Sequence, residues 1–123
     1  MMEMVKIFEV GAEGGGCEVF RYENGIVIEK GSSGGMLDED EDPFVSWEKK
    51  YVSFEHWFKE FKIKHKDFWI YLYPVYISEE IRSFLMEEVK NYVVPKEEVE
   101  WFFDRRDDWY RALGMKDYFS HQQ

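Results

Sequence analysis

The chain has few of the features that mark secreted, disulfide-stabilised or membrane-spanning proteins. Its 123 residues include a single cysteine, Cys17, so no disulfide can form within the chain. Nowhere does the sequence contain the roughly 18 consecutive apolar residues that a membrane span requires. Residues 1–10 also lack an apolar run long enough for a signal peptide. These absences favour a cytoplasmic protein with no membrane segment.

Basic residues are scarce: 16 Lys and Arg stand against 26 Asp and Glu, which gives a net charge of −10. An acidic protein repels the phosphate backbone, so we expect no nucleic-acid partner and favour a basic protein surface instead. The charge is unevenly distributed, because residues 49–66 carry +4 whereas residues 1–48 carry −9 and residues 67–123 carry −5.

Aromatic residues, by contrast, are abundant and make up 20% of the chain. Each buried ring removes roughly 150–250 Å² from water and so helps to offset the entropy lost on folding. A chain of 123 residues fits one domain. We therefore expect a single folded domain over residues 1–123.

Four segments in the first half have the composition of β-strands, because they are rich in β-branched and aromatic residues and are bounded by turn residues. Asn24-Gly25 predicts a tight hairpin between the second and third, with positive φ at both central residues. Gly11 is expected to end the first strand, and a solvated loop is expected from Gly31 to Asp42. The predicted strands span residues 5–10, 17–22, 25–30 and 44–52.

Helical periodicity begins after the fourth strand. Aromatic residues recur there at i, i+3, i+4 and i+7, which predicts one buried stripe on a short helix behind an N-cap at Ser53. The stripe consists of Phe54, Trp57, Phe58 and Phe61.

Two further helices are expected towards the C-terminus. Ser78 is predicted to cap the second, which ends near Val93, and Pro95 to begin the third, which Gly114 ends. Strands followed by helices predict an α+β domain, in which an antiparallel sheet of three to four strands is packed by about three C-terminal helices.

The glycine-rich segment Gly11–Gly16 invites comparison with phosphate-binding loops. Those loops need Gly-Lys-Ser/Thr or G-x-G-x-x-G at the start of a helix, whereas here Glu13 occupies the loop and a strand follows. We interpret the segment as a strand connection, and as a pocket wall only under the second function considered below. Glu13, Gly14 and Gly15 are its candidate binding residues.

An acidic loop places Asp38, Asp40 and Asp42 at the alternate spacing with which an EF-hand loop begins. Its sixth position is Pro43 rather than Gly, and its twelfth is Lys49 rather than Glu, so it is not an EF-hand. We predict no metal site. The segment is either a plain solvated acidic loop or a docking surface for Lys and Arg, and in the second case the three aspartates are its candidate binding residues.

No catalytic set emerges from the reactive residues. Cys17 lies among apolar strand residues, and the three histidines share no metal-ligand spacing with it. Asp107 and Asp108 are interleaved with arginines, which favours salt bridging within a helix. We expect no cofactor and no catalytic residue, and enzymatic activity is not favoured.

The run from Phe68 to Ile77 is the most apolar of the chain. Pro74 removes a ladder donor and so predicts an extended or edge segment rather than a central strand. Amphipathic rings in such a segment either fill the core or rim a binding groove, and the sequence leaves both open. Trp69, Tyr71 and Tyr73 are its candidate binding residues.

Several of these segments together resemble a family of small uncharacterised bacterial proteins. The resemblance rests on Gly-Ala-Glu-Gly-Gly after the first strand, on Trp69-Ile70-Tyr71-Leu72-Tyr73-Pro74 leading into Ser78-Glu79-Glu80, and on the segment from Arg105 to Trp109. It implies a shared bacterial fold and names no activity. The acidic loop departs from the family pattern.

Two functions of different classes fit these observations. The first is a non-enzymatic protein-binding module of the immunity or inhibitor kind, monomeric or homodimeric, that meets a basic protein. The second is a small-molecule or carbohydrate-binding domain that uses the Gly11–Gly16 segment and the rings of Trp69–Tyr76 as a pocket.

Overall fold

A computed structural model of the chain describes residues 3–12, 15–33, 45–66, 68–93 and 99–115. Its five strands and three α-helices confirm the α+β class. The sheet has one strand more than predicted, because the last strand follows the first helix. In chain order the elements are β1 (Met4–Ala12), β2 (Gly15–Tyr22), β3 (Val27–Ser33), β4 (Val45–Tyr51), α1 (Phe54–Lys64), a 3₁₀ turn (Trp69–Tyr71), β5 (Tyr73–Ile77), α2 (Glu79–Lys90) and α3 (Val99–Ala112).

The strands form one antiparallel sheet in the order β4-β3-β2-β1-β5. β5 is therefore an edge strand, as Pro74 indicated, and its pairing with β1 is interrupted by a register shift opposite Glu9 and Val10. β4 forms the other edge and pairs with β3 residue for residue from Val45 to Tyr51.

The strands β1 and β3 run further than the sequence indicated. Gly11 does not end β1, because it pairs with Gly16 on one side and with Tyr73 on the other. Gly31 likewise belongs to β3 rather than to a loop, and it pairs with Trp47 of β4. A strand neighbour on each side supplies the backbone hydrogen bonds that override the poor strand propensity of glycine.

The predicted hairpin joins β2 to β3, but its turn differs from the expected one. Only Gly25 takes a positive φ, of 93°, and Asn24 does not. The N–H of Gly25 donates to the carbonyl of Tyr22 at 2.9 Å, and the Asn24 side chain accepts from the N–H of Ile26 at 3.1 Å. The connection is therefore longer than a two-residue turn, and one glycine in the left-handed region is sufficient for it.

One face of the sheet carries the core. Phe8 lies at its centre and makes edge contacts with the rings of Phe54, Trp57 and Phe61 at centroid distances of 5.8, 5.6 and 6.5 Å. The predicted aromatic stripe of α1 is therefore confirmed. The indole ring of Trp109 in α3 lies 6.1 Å from the ring of Phe8. The first and the last helix therefore both pack against this one phenylalanine.

The helix ends show where local signals were sufficient. Ser53 caps α1, and its side chain accepts from the N–H of His56 at 3.1 Å. Ser78 occupies the N-cap position of α2, but its side chain makes no such bond. Its hydroxyl oxygen is buried and has no hydrogen-bond partner in the described part of the chain. α2 ends at Lys90 rather than near Val93. The predicted start of the last helix at Pro95 lies outside the described residues.

We predict that Gly31→Ala destabilises the fold by about 1–3 kcal/mol, because an added Cβ would overlap the indole ring of Trp47 and force it to move. Urea unfolding followed by tryptophan fluorescence measures the change. Gly11→Ala is the matched control, since its Cβ would lie 3.6 Å from a methyl group of Val75, an ordinary contact. Equal stability of the two variants would contradict the close packing at Gly31.

Candidate functional site

The carboxylate of Glu29 is buried beneath α1, with 6% of the residue exposed. It accepts a hydrogen bond from the indole N–H of Trp57 at 2.7 Å and another from the indole N–H of Trp47. Glu29 alternates with Val27 and Gly31 on the core face of β3, so strand geometry alone directs it inward. A buried carboxylate with two neutral donors joins β3, β4 and α1 at one point.

The negative charge of Glu29 affects the titrating groups around it. Burial, together with that charge, raises the pKa of the Cys17 thiol to about 12 and the pKa of the Tyr51 hydroxyl to about 12. Burial and the ammonium of Lys64 lower the pKa of His65, and Glu29 opposes them only in part. Cys17 is therefore a protonated thiol at neutral pH, which disfavours a role as a catalytic nucleophile.

Of the predicted site residues in the two loops, the structure describes only Gly15. It pairs with Ala12 of β1 and with Ser33 of β3, so it belongs to the sheet. Glu13 and Gly14 lie outside the described residues, as do Asp38, Asp40 and Asp42.

A shallow groove of about 490 Å³ crosses the sheet next to the Gly11–Gly16 segment; we call it the glycine groove. Gly11, Gly16 and Ser32 form one cross-strand row of small residues in it. Glu9, Glu18 and Lys30 form the adjacent charged row. The residues of both rows alternate with core residues, so the groove opens on the face opposite the core.

The predicted ring segment divides between core and surface. Trp69 is 2% exposed and packs edge-on against Phe58 and Trp109 at 5.1 and 5.2 Å, so it belongs to the core rather than to a groove. Tyr71 and Tyr73 are 42% and 49% exposed. Trp69 and Tyr71 begin and end the same 3₁₀ turn, and Tyr73 begins β5, so the two alternatives that the sequence left open both occur within one segment.

Four exposed side chains at the end of this turn and on β5 form what we call the tyrosine surface: Tyr71, Tyr73, Val75 and Tyr76. Val75 and Tyr76 are 57% and 43% exposed. Val75 was not among the predicted binding residues, whereas the ring of Tyr76 was included only in the pocket of the second function. Their exposure could have been expected from the prediction that Pro74 places this segment at the edge of the sheet, because no further strand lies beside an edge strand.

α3 fixes the backbone that carries these rings. The indole N–H of Trp109 donates to the carbonyls of Ile70 and Leu72 at 3.0 and 2.8 Å, and Nε of Arg105 donates to the carbonyl of Tyr71 at 3.0 Å. Three successive carbonyls of one short turn are therefore held by one helix. These hydrogen bonds give the three backbone carbonyls the partners that water would otherwise supply, and so they hold the turn against α3.

Two cations of the chain lie against the exposed rings. The guanidinium carbon of Arg105 lies 3.9 Å from the ring centre of Tyr73, and Nζ of Lys6 lies 5.8 Å from that of Tyr76. Both cations are also paired with carboxylates: Arg105 with Asp108 at 3.3 Å, and Lys6 with Glu9 at 2.6 Å and with Glu18 at 3.2 Å. Asp108 thus forms the helical salt bridges that the sequence favoured, including one to Arg111 at 2.6 Å.

The comparisons with known proteins assign no family to this fold: no protein-family model, no curated protein and no solved structure matches the chain. The likeness to small bacterial proteins with a Gly-Ala-Glu-Gly-Gly segment stays a prediction. Among the described residues, no group of three or more His, Cys, Asp and Glu side chains is arranged to hold a metal ion. None of the described helices is long and apolar enough to cross a membrane.

We predict that Glu29→Leu lowers the free energy of unfolding by about 2–5 kcal/mol, because two buried indole N–H groups lose their acceptor. Chemical denaturation gives the change. The control is Glu48→Leu on the neighbouring strand, where the glutamate is exposed and the change should stay within about 0.5 kcal/mol. A Glu29→Leu protein as stable as this control would show that the two hydrogen bonds contribute nothing to the fold.

Proposed function

We propose that this protein is a non-enzymatic binding module, of the immunity or inhibitor kind, that engages a basic protein through the tyrosine surface. The observation that carries the proposal is the exposure of Tyr71, Tyr73 and Tyr76 on one short segment that the fold holds in place. The bacterial origin, cytoplasmic location and monomeric or homodimeric state that the sequence favours are part of the same proposal.

The side chains of this surface are those that protein interfaces favour. Tyrosine and arginine are enriched at the energetic centres of interfaces, because each combines a large contact area with a polar end. Here Arg105 packs on Tyr73 and binds the carbonyl of Tyr71. Rings that already have ordered neighbours lose less conformational freedom on binding, which leaves more of the contact energy for affinity.

The charge of the molecule supports a basic partner. Residues 45–66 carry a net charge of +3, so the remainder of the chain carries −10 minus +3, or −13. The tyrosine surface lies within that remainder. A protein with a strongly negative net charge attracts a positively charged partner and accelerates its association, an effect that salt screens.

We predict that the double substitution Tyr73→Ala and Tyr76→Ala abolishes capture of a basic protein while leaving the fold intact, because both rings are exposed. The immobilised chain would be exposed to a bacterial lysate at low and at moderate salt, and the retained proteins identified by mass spectrometry. Val52→Ala is the control, since Val52 is 71% exposed and lies beside β4 at the other edge of the sheet.

The proposal requires one basic protein to be retained by the unmodified chain and by the control, to be lost with the double variant and to be released as salt rises. Retention that is indifferent to the tyrosines would contradict it. An empty column at low salt would do so as well.

A second candidate function, the binding of a small molecule or carbohydrate, is favoured by the glycine groove. Glu9, Glu18, Lys30 and Ser32 line it with charged and hydroxyl groups of the kind that hydrogen-bond sugar hydroxyls. Tyr73 pairs with Gly11, so the exposed rings begin at one end of the groove. The buried Trp69 does not take part.

This candidate predicts that a ligand of the groove shifts the backbone amide resonances of Gly15 and Gly16 in ¹⁵N NMR spectra recorded with a panel of neutral mono- and disaccharides. Gly11→Ala should weaken those shifts, because a methyl group on the floor narrows the groove while making only an ordinary contact with Val75. Spectra that stay unchanged across the panel, or shifts that cluster elsewhere, would dismiss the carbohydrate interpretation.

A further inference from the structure

The two edges of the sheet differ in their capacity to accept another strand. β5 is five residues long, contains Pro74 and has an irregular register with its neighbour β1. Each of these features hinders the addition of a strand. β4 is seven residues long, contains no proline and pairs with β3 in an uninterrupted register. β4 is therefore the regular edge of this sheet.

The outer edge of β4 has no strand beside it within the part of the chain that the structure describes. An antiparallel edge strand presents N–H and C=O groups outward at alternate residues. Those groups can bind an extended segment of another chain through main-chain hydrogen bonds, which is a recurring mode of peptide recognition.

Lysines lie on both faces of this edge. Lys49 is in register with the buried Glu29 and so lies on the helix side, where Lys64 of α1 also places its ammonium 5.1 Å from the ring centre of Trp47. Lys50 lies on the opposite side, in register with Ile28. We call Lys49, Lys50 and Lys64 the lysine edge.

Among the described residues, no carboxylate forms an ion pair with any of these three lysines. Seven other cations in the described part of the chain do form such pairs: Lys6, Arg21, Lys62, Arg82, Lys90, Arg105 and Arg111. Within that part, the same lack of an ion pair is found for Lys30, Lys59 and Lys66, so what sets the lysine edge apart is its position beside the regular strand edge. Glu48 is the one acidic residue of β4, and the edge therefore stays net positive in a protein with a net charge of −10.

We infer that the lysine edge binds an extended acidic segment of a partner protein, which adds to β4 as a sixth strand. Side chains of an added strand alternate between the two faces of the sheet, so acidic residues on either face would meet a lysine. A second copy of this chain fits less well, because two β4 strands paired edge to edge would bring Lys49 and Lys64 of both chains to the helix side of one edge. This site is separate from the tyrosine surface and does not depend on the function proposed for it.

The test uses the full chain and a fluorescein-labelled heptapeptide in which glutamate alternates with valine and threonine, followed by fluorescence anisotropy at low salt. We expect binding that falls about tenfold with Lys50→Glu, since one ion pair becomes a repulsion. Lys59→Glu is the matched control, because Lys59 is exposed on α1 and the substitution changes the net charge equally. Its affinity for the peptide should stay close to that of the unmodified chain.

A second peptide, with the same charges but with proline at its centre, separates strand addition from simple charge attraction. It should not bind, because proline has no backbone N–H to donate to β4. Hydrogen exchange should show added protection of β4 amides by the first peptide only. The inference is overturned by an absence of binding, by equal binding of the proline peptide, or by equal losses for Lys50→Glu and Lys59→Glu. Self-association of the chain through β4 in place of peptide binding would overturn it as well.

Discussion

Two indole N–H groups, from Trp47 and Trp57, converge on the buried carboxylate of Glu29, and the relative positions of three elements depend on that contact. A buried carboxylate is costly unless its oxygens are paired, so the burial of Glu29 on β3 requires both Trp47 of β4 and Trp57 of α1. The indole of Trp47 in turn fits only because Gly31 has no side chain. The same contact positions α1, whose aromatic stripe packs on Phe8 in the core.

The same arrangement separates the two surfaces of the molecule. The Glu29 contact fixes the β4 edge, where the lysines lie, whereas Trp109 and Arg105 of α3 hold the turn at the β5 edge, where the tyrosines lie. The two edges are four strand spacings apart, which is about 19 Å. One surface is rich in rings, and the other offers a regular backbone edge between lysines.

Features encoded by neighbouring residues could be predicted from the sequence, and features that need a distant partner could not. The stripe on α1, the Ser53 cap and the edge position of β5 follow from periodicity, a capping side chain and a proline. The course of β1 through Gly11 depends on strands on both sides, and the burial of Glu29 depends on two tryptophans 18 and 28 residues away. One feature of the sequence did indicate the burial of Glu29. It lies two residues after Val27, a core residue, and residues two apart on a strand face the same side of the sheet. The division of the ring segment into core and surface could not be predicted, because Trp69 and Tyr71 lie in the same 3₁₀ turn and only the contact with α3 decides which of the two is buried.

The charge that sits beside β4 has a consequence beyond direct contact. Residues 45–66, which contain β4 and α1, carry a net charge of +3 in a chain whose total charge is −10. In dilute salt, a local charge of this kind acts on an approaching acidic segment before any atoms touch, and it would orient such a segment towards the β4 edge. Added salt would shorten the distance over which this orientation operates.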